Sequence, residues 1–455
     1  MNNKVACVVG GAGPAGIGFL FNAMKCGALP AIAANGLEVI DRRVRLGAGR
    51  LGDYDVTANS VSDVFLDCLR SPILEPVFRS LGDSEVLRLL RLRAHEALPL
   101  SIPAQLLEEA AECFLEHVAD AYGVVVRRGT HMESIVCGAH GLAIACSDGA
   151  GNRYTVHTRS LVLNTGGRED PSQGGMLLER YGVKLGTAMP PLDASSEVLS
   201  CSEPTLLARY ASRLRKHPRI AVLGGSHSAL SVVDRLARLL QPHGLKEAVI
   251  LHRSPLKLFY ETTREATDDG YCFDPVADVC PKSGRVNRSS GLRYRAFDIG
   301  KTILAHGHLD DARVGARLIR LDEAPARSNR GLSDLLSQSA AIVQCIGYQP
   351  DTPPLWRSQG EPITLRTTNG GIVSDESGCP LDLAGEPVPG LFMFGLGAGQ
   401  AVNLALGSEP SFKGRITGVW QFHHDASRCT VDAVLRRARA VAHQPCLSTD
   451  LHEAA

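Results

Sequence analysis

The 455-residue sequence has no C-x-x-C or C-x-x-x-x-C pair, although it contains 13 cysteines. A thiol–disulfide relay and a zinc site built on paired cysteines are therefore excluded. The odd, scattered set, from Cys7 to Cys446, fits a reduced cytoplasmic protein with small buried thiols better than a disulfide framework. An excess of either charge is also missing: Lys+Arg and Asp+Glu each total 48, for a formal net charge of zero. Nothing in that balance attracts nucleic acid or an anionic membrane. No stretch is long and uncharged enough to span a bilayer. The apolar N-terminus lacks a cluster of positive charge, and glycines interrupt it from Gly10 to Gly18, so a turn explains it better than a signal peptide does. His227, His306 and His308 have no metal-ligand spacing with other candidates, so no metal is expected.

What is present is globular: 44% of residues are hydrophobic and 21% charged, enough for a sizeable core over two or three domains. The chain begins strand, turn, helix. Val5 to Val9 is an apolar β-rich run, Gly11-Ala12-Gly13-Pro14-Ala15-Gly16 follows, and a helical segment occupies Ile17 to Met24. In a G-x-G-x-x-G turn at that place, Gly11 allows the tight turn and Gly13 lets the backbone approach a pyrophosphate. Gly16 lets helix and strand pack closely, and the helix N-terminus meets the phosphate charge. An acid should end the second strand, Leu37 to Ile40, to hold ribose hydroxyls. Asp41 stands there, with Glu38 as the alternative.

Apolar residues at helical spacing mark 104–120, and strand-like runs follow at 123–126, 134–144 and 155–163. The proline- and serine-containing stretch 186–204 resembles a connection between domains. A second strand–turn–helix unit starts at Ile220 to Leu223 with Gly224-Gly225-Ser226-His227-Ser228-Ala229, Ser226 standing where the middle glycine would be. Its second strand ends in His252-Arg253. A carboxylate there would repel a 2′-phosphate, whereas Arg253 would pair with one, which favours NADPH over NADH. An exposed charge at a strand end is the alternative for Arg253.

These motifs resemble the two-dinucleotide-binding-domain flavoproteins, and among them the flavin-dependent N-hydroxylating monooxygenases (the lysine and ornithine N-monooxygenases). Leu161-Val-Leu-Asn-Thr-Gly-Gly is similar to the family's first A-T-G strand end, placing Thr165 and Gly166 by the flavin. Val343-Gln-Cys-Ile-Gly-Tyr-Gln-Pro is similar to its A-T-G-Y-x-P segment, placing Gly347 and Tyr348 there. Gly224 to Ala229 is similar to its G-x-G-x-S-A. Gly390-Leu-Phe-Met-Phe-Gly-Leu-Gly resembles the last flavin segment, with Gly395 and Gly397, and Leu396 replaces its aspartate. The Baeyer–Villiger signature F-x-G-x-x-x-H-x-x-x-W is missing, the only tryptophans being Trp356 and Trp420.

The resemblance implies an α/β fold of two Rossmann-like domains. The FAD-binding domain is discontinuous (1–190 and 366–455) and encloses an NAD(P)H-binding domain (191–365) whose segment 254–300 overlies the cleft. It implies FAD at Gly11, Gly13, Pro14, Ala15, Gly16 and Asp41, and NADPH at Gly224, Ser226, His227, Ser228 and Arg253. The implied reaction reduces the flavin with NADPH, captures O2 as a C4a-hydroperoxide and passes one oxygen to a small amine or amino-acid-like substrate. Tyr54 and Asn59, with Ser60, lie where related chains place a loop beside the flavin ring. Loops over a nucleotide cleft carry substrate recognition, so Asn287 and Arg288 are the candidates for the substrate, among acids and arginines that suit a zwitterion. A flavin reductase without oxygen insertion and a non-catalytic protein on the same fold are the rival readings. A homo-oligomer is compatible with either.

Overall fold

The structure is a computed structural model that describes residues 5–183, 186, 189–309, 313–321, 329–368, 371–399, 407–415 and 418–442. Two parallel-centred sheets organise it. In the first, Val5–Gly10 lies between Leu37–Ile40 and Arg153–Leu163, parallel to both, and Val125–Arg127 completes one edge. All but the first residue of Val5–Gly10 is buried, which is why the strand reads as a continuous apolar run. Arg153–Leu163 also forms an antiparallel meander with Gly141–Ser147 and His131–Gly138, and here burial alternates residue by residue. Leu391–Met393 returns to pair with Leu161–Leu163, so the C-terminal part of the chain rejoins the first sheet.

The second sheet is wholly parallel and has the order Gly315–Arg320, Glu247–His252, Arg219–Leu223, Ala341–Gln344, Leu192–Ala194. Its last strand and the helix Ser195–Ser200 occupy the stretch expected to be a connection. A three-residue strand has too little apolar pattern to be legible; it forms because Ala341–Gln344 offers a free edge. The Glu169 carboxylate holds the following helix by accepting from the main-chain N–H groups of Ser195 (3.2 Å) and Ser196 (2.7 Å).

The chain crosses between the sheets twice, and the two crossings pair with each other: Gly167–Arg168 runs antiparallel to Gln349–Pro350. Leu355–Arg357 then joins the edge of the first sheet beside His131–Gly138, ahead of residue 366. The segment 254–300 is mostly irregular, as expected, but it carries the short helix Thr263–Asp268 and the start of the helix Tyr294–His306.

Each sheet has its own core. Under the first, the Pro14–Lys25 helix buries Phe19 and Phe21, and Phe21 meets Phe114 of the helix Ser101–Tyr122 edge-to-face at 4.8 Å between centroids. Under the second, the helix His227–Leu240 buries Leu230, Val233 and Leu236 against the strands. No helix among the described residues is long and apolar enough to cross a membrane.

Candidate active site

Both glycine turns sit at the carboxyl ends of central strands, where an open α/β sheet binds ligands. In the first, Gly11 has φ +94°, and a Cβ there would lie 2.5 Å from the Asn164 carbonyl oxygen. Gly13 caps the Pro14–Lys25 helix through its backbone alone, so no side chain bonds the first-turn N–H groups. An added Cβ on Gly13 would meet the Gly49 backbone at 3.4 Å. Asp41 closes the turn: its two carboxylate oxygens accept from the main-chain N–H of Ala12 (2.6 Å) and of Arg43 (2.7 Å). The alternative acid, Glu38, is taken by Arg127, which donates to it at 2.6 and 3.2 Å. The second turn repeats the arrangement. Gly224 has φ +126° and stands against the Cys345 carbonyl, and Ser226 caps the His227–Leu240 helix without a side-chain bond.

One cavity of about 1150 Å³ joins the two turns. Gly11, Gly13, Pro14, Ala15 and Asp41 line it from the first turn, and Ser226, His227 and Ser228 from the second. Tyr54, Asn59, Ser60, Thr165, Gly166, Gly347 and Tyr348 line it between them. The uncapped helix starts and the tight glycine approaches fit a dinucleotide phosphate at each turn, so the residues present suit FAD and NADPH. Gly16 and Gly224 lie beneath the turns and shape them. Gly395 and Gly397 pack on Ala15 and Pro350, while Leu396 between them reaches the wall. Arg253 stands exposed at the end of Glu247–His252, outside the enclosed space.

Tyr54 and Tyr348 interact, and burial raises the pKa of both phenols, which keeps them neutral donors and acceptors. His227 accepts from the main-chain N–H of Arg293 at 3.1 Å; burial, and next the Arg293 charge, lower its pKa to about 4. No cysteine lines the cavity among the described residues. Nor is there a group of three or more His, Cys, Asp or Glu among them that could hold a metal.

Asn287 and Arg288, expected at the substrate, do not line the cavity. Asn287 is fully buried, and its amide donates to the Leu258 carbonyl (2.9 Å) and the Tyr271 hydroxyl (3.1 Å). Arg288 donates to the Gly407 carbonyl at 3.1 Å, and the next two main-chain N–H groups donate to the buried Glu409 carboxylate (2.9 and 2.8 Å). These residues fasten the segment to the C-terminal part of the chain. Two acids of the segment are likewise paired within the protein: Asp278 holds Lys257 at 2.7 Å, and Asp269 holds Lys301. A loop rich in charge folds by pairing its charges, which leaves few for a zwitterionic ligand.

The structure adds Ser231, Asp234, Arg238 and Arg295 to the residues that sequence reasoning selected. Ser228, Ser231, Asp234 and Arg238 form a polar stripe at intervals of three and four down the His227–Leu240 helix, all facing the cavity. Arg293 and Arg295 face it from the start of Tyr294–His306. The stripe's spacing behind a glycine turn was a usable signal. Arg293 was one of the segment's arginines considered for a substrate, but nothing in the sequence says that it and Arg295 face the cavity, since their direction is set by the preceding irregular segment.

No family model matches the chain. The CMP-5′-(3-aminopropyl)phosphonate hydroxylase of Streptomyces rubellomurinus is 30% identical over 442 residues, which is 95% of this chain and 98% of that one. Among solved structures, the reduced ornithine hydroxylase of Pseudomonas aeruginosa superposes with a TM-score of 0.55 at 14% identity, covering 95% of this chain and 99% of that one. The L-lysine 6-monooxygenase of Pseudomonas syringae gives 0.52 at 16% identity, covering 95% and 100%. These two likenesses establish the fold; the hydroxylase match, at its identity and nearly complete coverage, establishes the kinship. The chain belongs to the family of that CMP-5′-(3-aminopropyl)phosphonate hydroxylase, on the fold that the ornithine and lysine monooxygenases share.

Proposed function

We propose that this chain hydroxylates the amine nitrogen of a small molecule with electrons from NADPH and one oxygen atom from O2. The observation that carries the reading is the single cavity reaching both glycine turns with no cysteine on its described wall. Electrons arriving there find no thiol pair to reduce, so a small molecule and oxygen are the acceptors that remain. FAD, once bound, supplies hydride acceptance from NADPH and the oxygen-transfer chemistry. The chain's own work is placement. The Gly11–Gly16 turn and Asp41 fix one dinucleotide, and the Ser226–Ser228 turn fixes the other across the cleft. The neutral Tyr54–Tyr348 pair holds a polar position on the wall without adding charge. Leu51, Leu199 and Leu396 make parts of the wall apolar and limit water, which suits a reaction that water would uncouple.

The Streptomyces rubellomurinus relative is named for a CMP conjugate of an aminopropylphosphonate. That name supports an amine at the end of a short aliphatic arm as the group presented here. The test is NADPH and O2 consumption by the FAD-loaded enzyme with 3-aminopropylphosphonate, its CMP conjugate, ornithine and lysine, with products analysed by mass spectrometry. One of these amines is expected to gain a single oxygen atom in step with NADPH oxidised. Oxidation of NADPH at one rate with every amine and with none, all the oxygen ending as hydrogen peroxide, overturns the reading.

A further inference from the structure

Among the described residues, the cleft wall carries one positive charge without a carboxylate partner. Of the six arginines on its wall, five lie within 4 Å of a carboxylate. Arg42 pairs with Asp351 (3.5 Å), and Arg43 and Arg50 share Asp53. Arg238 and Arg295 share Asp234, at 3.3 and 2.6 Å. Arg293 has no carboxylate partner among the described residues. Its guanidinium lies over the Phe259 ring, 3.6 Å from the centroid, and one nitrogen donates to the Arg288 carbonyl at 2.6 Å. The ring and the carbonyl fix the plane of the fork, and a guanidinium has five N–H groups, so donors remain for a ligand.

The acids on the wall are the mirror image. Asp55 is held by Arg235 at 2.9 Å, Glu133 by Arg153 at 3.2 Å, and Asp41 by two main-chain N–H groups. An ammonium entering the cleft meets no unpaired carboxylate among the described residues, whereas an anion meets Arg293. That asymmetry suits the chemistry, because only a neutral amine is nucleophilic and a carboxylate partner would hold its proton. The backbone is also bent to this end. Tyr294 has φ +50°, a conformation rare for a bulky side chain, and the residues on either side of it, Arg293 and Arg295, both reach the cavity wall.

We propose that Arg293 is the anion receptor of the substrate site, and that the substrate is an amine carrying a phosphate or phosphonate group. The inference rests on the amine-hydroxylating reading above. A tetrahedral phosphoryl group fits better than a planar carboxylate because the Tyr294–His306 helix starts at Arg293 without a side-chain cap and without an acid in its first turn. It thus adds main-chain N–H groups to the guanidinium. NADPH carries the same chemistry in its own phosphates, and the experiment separates the two sources.

Calorimetric binding to the FAD-loaded enzyme is measured for 3-aminopropylphosphonate, its CMP conjugate, the neutral diethyl ester of the phosphonate, and NADPH. Wild type is compared with Arg293→Gln, with flavin content and Tm recorded for both. The wild type is expected to bind at least one of the two anionic amines more tightly than the ester. The variant is expected to lose ten- to a hundredfold for that amine, as removal of a charge-assisted bond does. Ester and NADPH affinities should stay within about twofold. Equal wild-type affinity for charged and neutral amines overturns the proposal. So does a tenfold loss for NADPH with the anionic amine unchanged, which assigns Arg293 to the nicotinamide nucleotide. Equal losses throughout, or none, leave Arg293 structural and overturn it too. Binding is read without turnover, so a failure here is distinct from a failure to oxygenate an amine.

Discussion

A Cβ atom on Gly16 would lie 1.9 Å from the carbonyl oxygen of Gly11, closer than any packing allows. At Gly13 the same atom would meet only the Gly49 backbone, at 3.4 Å. The two glycines of one motif therefore fail differently. Gly16→Ala should disrupt the first strand–helix unit and yield insoluble or unfolded protein. Gly13→Val should fold, with a far-ultraviolet spectrum like the wild type, yet purify with little or no flavin because the side chain fills the phosphate position. A yellow, fully loaded Gly13→Val protein would show that FAD does not lie on this turn.

Asn287 should act on stability rather than on turnover. It holds φ +47°, which asparagine tolerates better than alanine, and it donates two buried hydrogen bonds. Asn287→Ala should cost about 2–4 kcal/mol in urea unfolding, while flavin reduction and amine oxidation per folded molecule stay within about twofold. Asn287→Gly should restore part of the loss by relieving the backbone. A variant with wild-type stability and selectively lost amine oxidation would return Asn287 to the substrate.

Arg253 tests the choice of nicotinamide. It stands exposed after the second strand of its unit, the position at which the sequence reading expects a 2′-phosphate. A guanidinium–phosphate pair is worth about 1.5–3 kcal/mol, or about ten- to a hundredfold in affinity. Arg253→Ala should raise the KM for NADPH by that factor and leave NADH almost unchanged, as stopped-flow flavin reduction with each nucleotide can measure. Equal loss with both nucleotides assigns Arg253 to the fold.

His423 should weaken the protein in acid. The side chain is 5% exposed and its Nε2 has no hydrogen-bond partner; burial lowers its pKa from 6.5 to about 4. The unfolded chain binds a proton that the folded one refuses. The contribution is complete above pH 6.5 and is lost as pH falls towards 4. At about 1.4 kcal/mol per unit the full effect is on the order of 3 kcal/mol. Urea midpoints measured between pH 7 and 4 should fall more steeply for the wild type than for His423→Gln. Parallel curves would mean that the imidazole is protonated in place.

The glycine turns were legible because their requirement is local. Gly11 and Gly224 need positive φ whatever the rest of the chain does, and a strand before and a helix after complete the pattern within a few residues. The second crossing between the units was legible for the same reason, through Gly347 and Tyr348. Leu192–Ala194 was not, because a short edge strand is made by the neighbour it pairs with. Asp41 is preferred to Glu38 by its place at the strand end; that Arg127 occupies Glu38 was not legible, because the contact joins residues 89 positions apart.

By itself the sequence determined two glycine turns and the strand–turn–helix units that carry them, and it holds no C-x-x-C pair, since each follows from backbone sterics or from residue spacing. Only the tertiary structure decided which charges are free. The segment 254–300 offers many acids and arginines, from which the sequence reading chooses Arg288, with Asn287, for a substrate. Folding pairs Asp278 with Lys257, Asp269 with Lys301 and the main chain beyond Arg288 with Glu409, and it leaves Arg293 on the cavity wall without a carboxylate among the described residues. Burying a charge is costly unless a partner is found, and that partner is chosen in three dimensions, not along the chain.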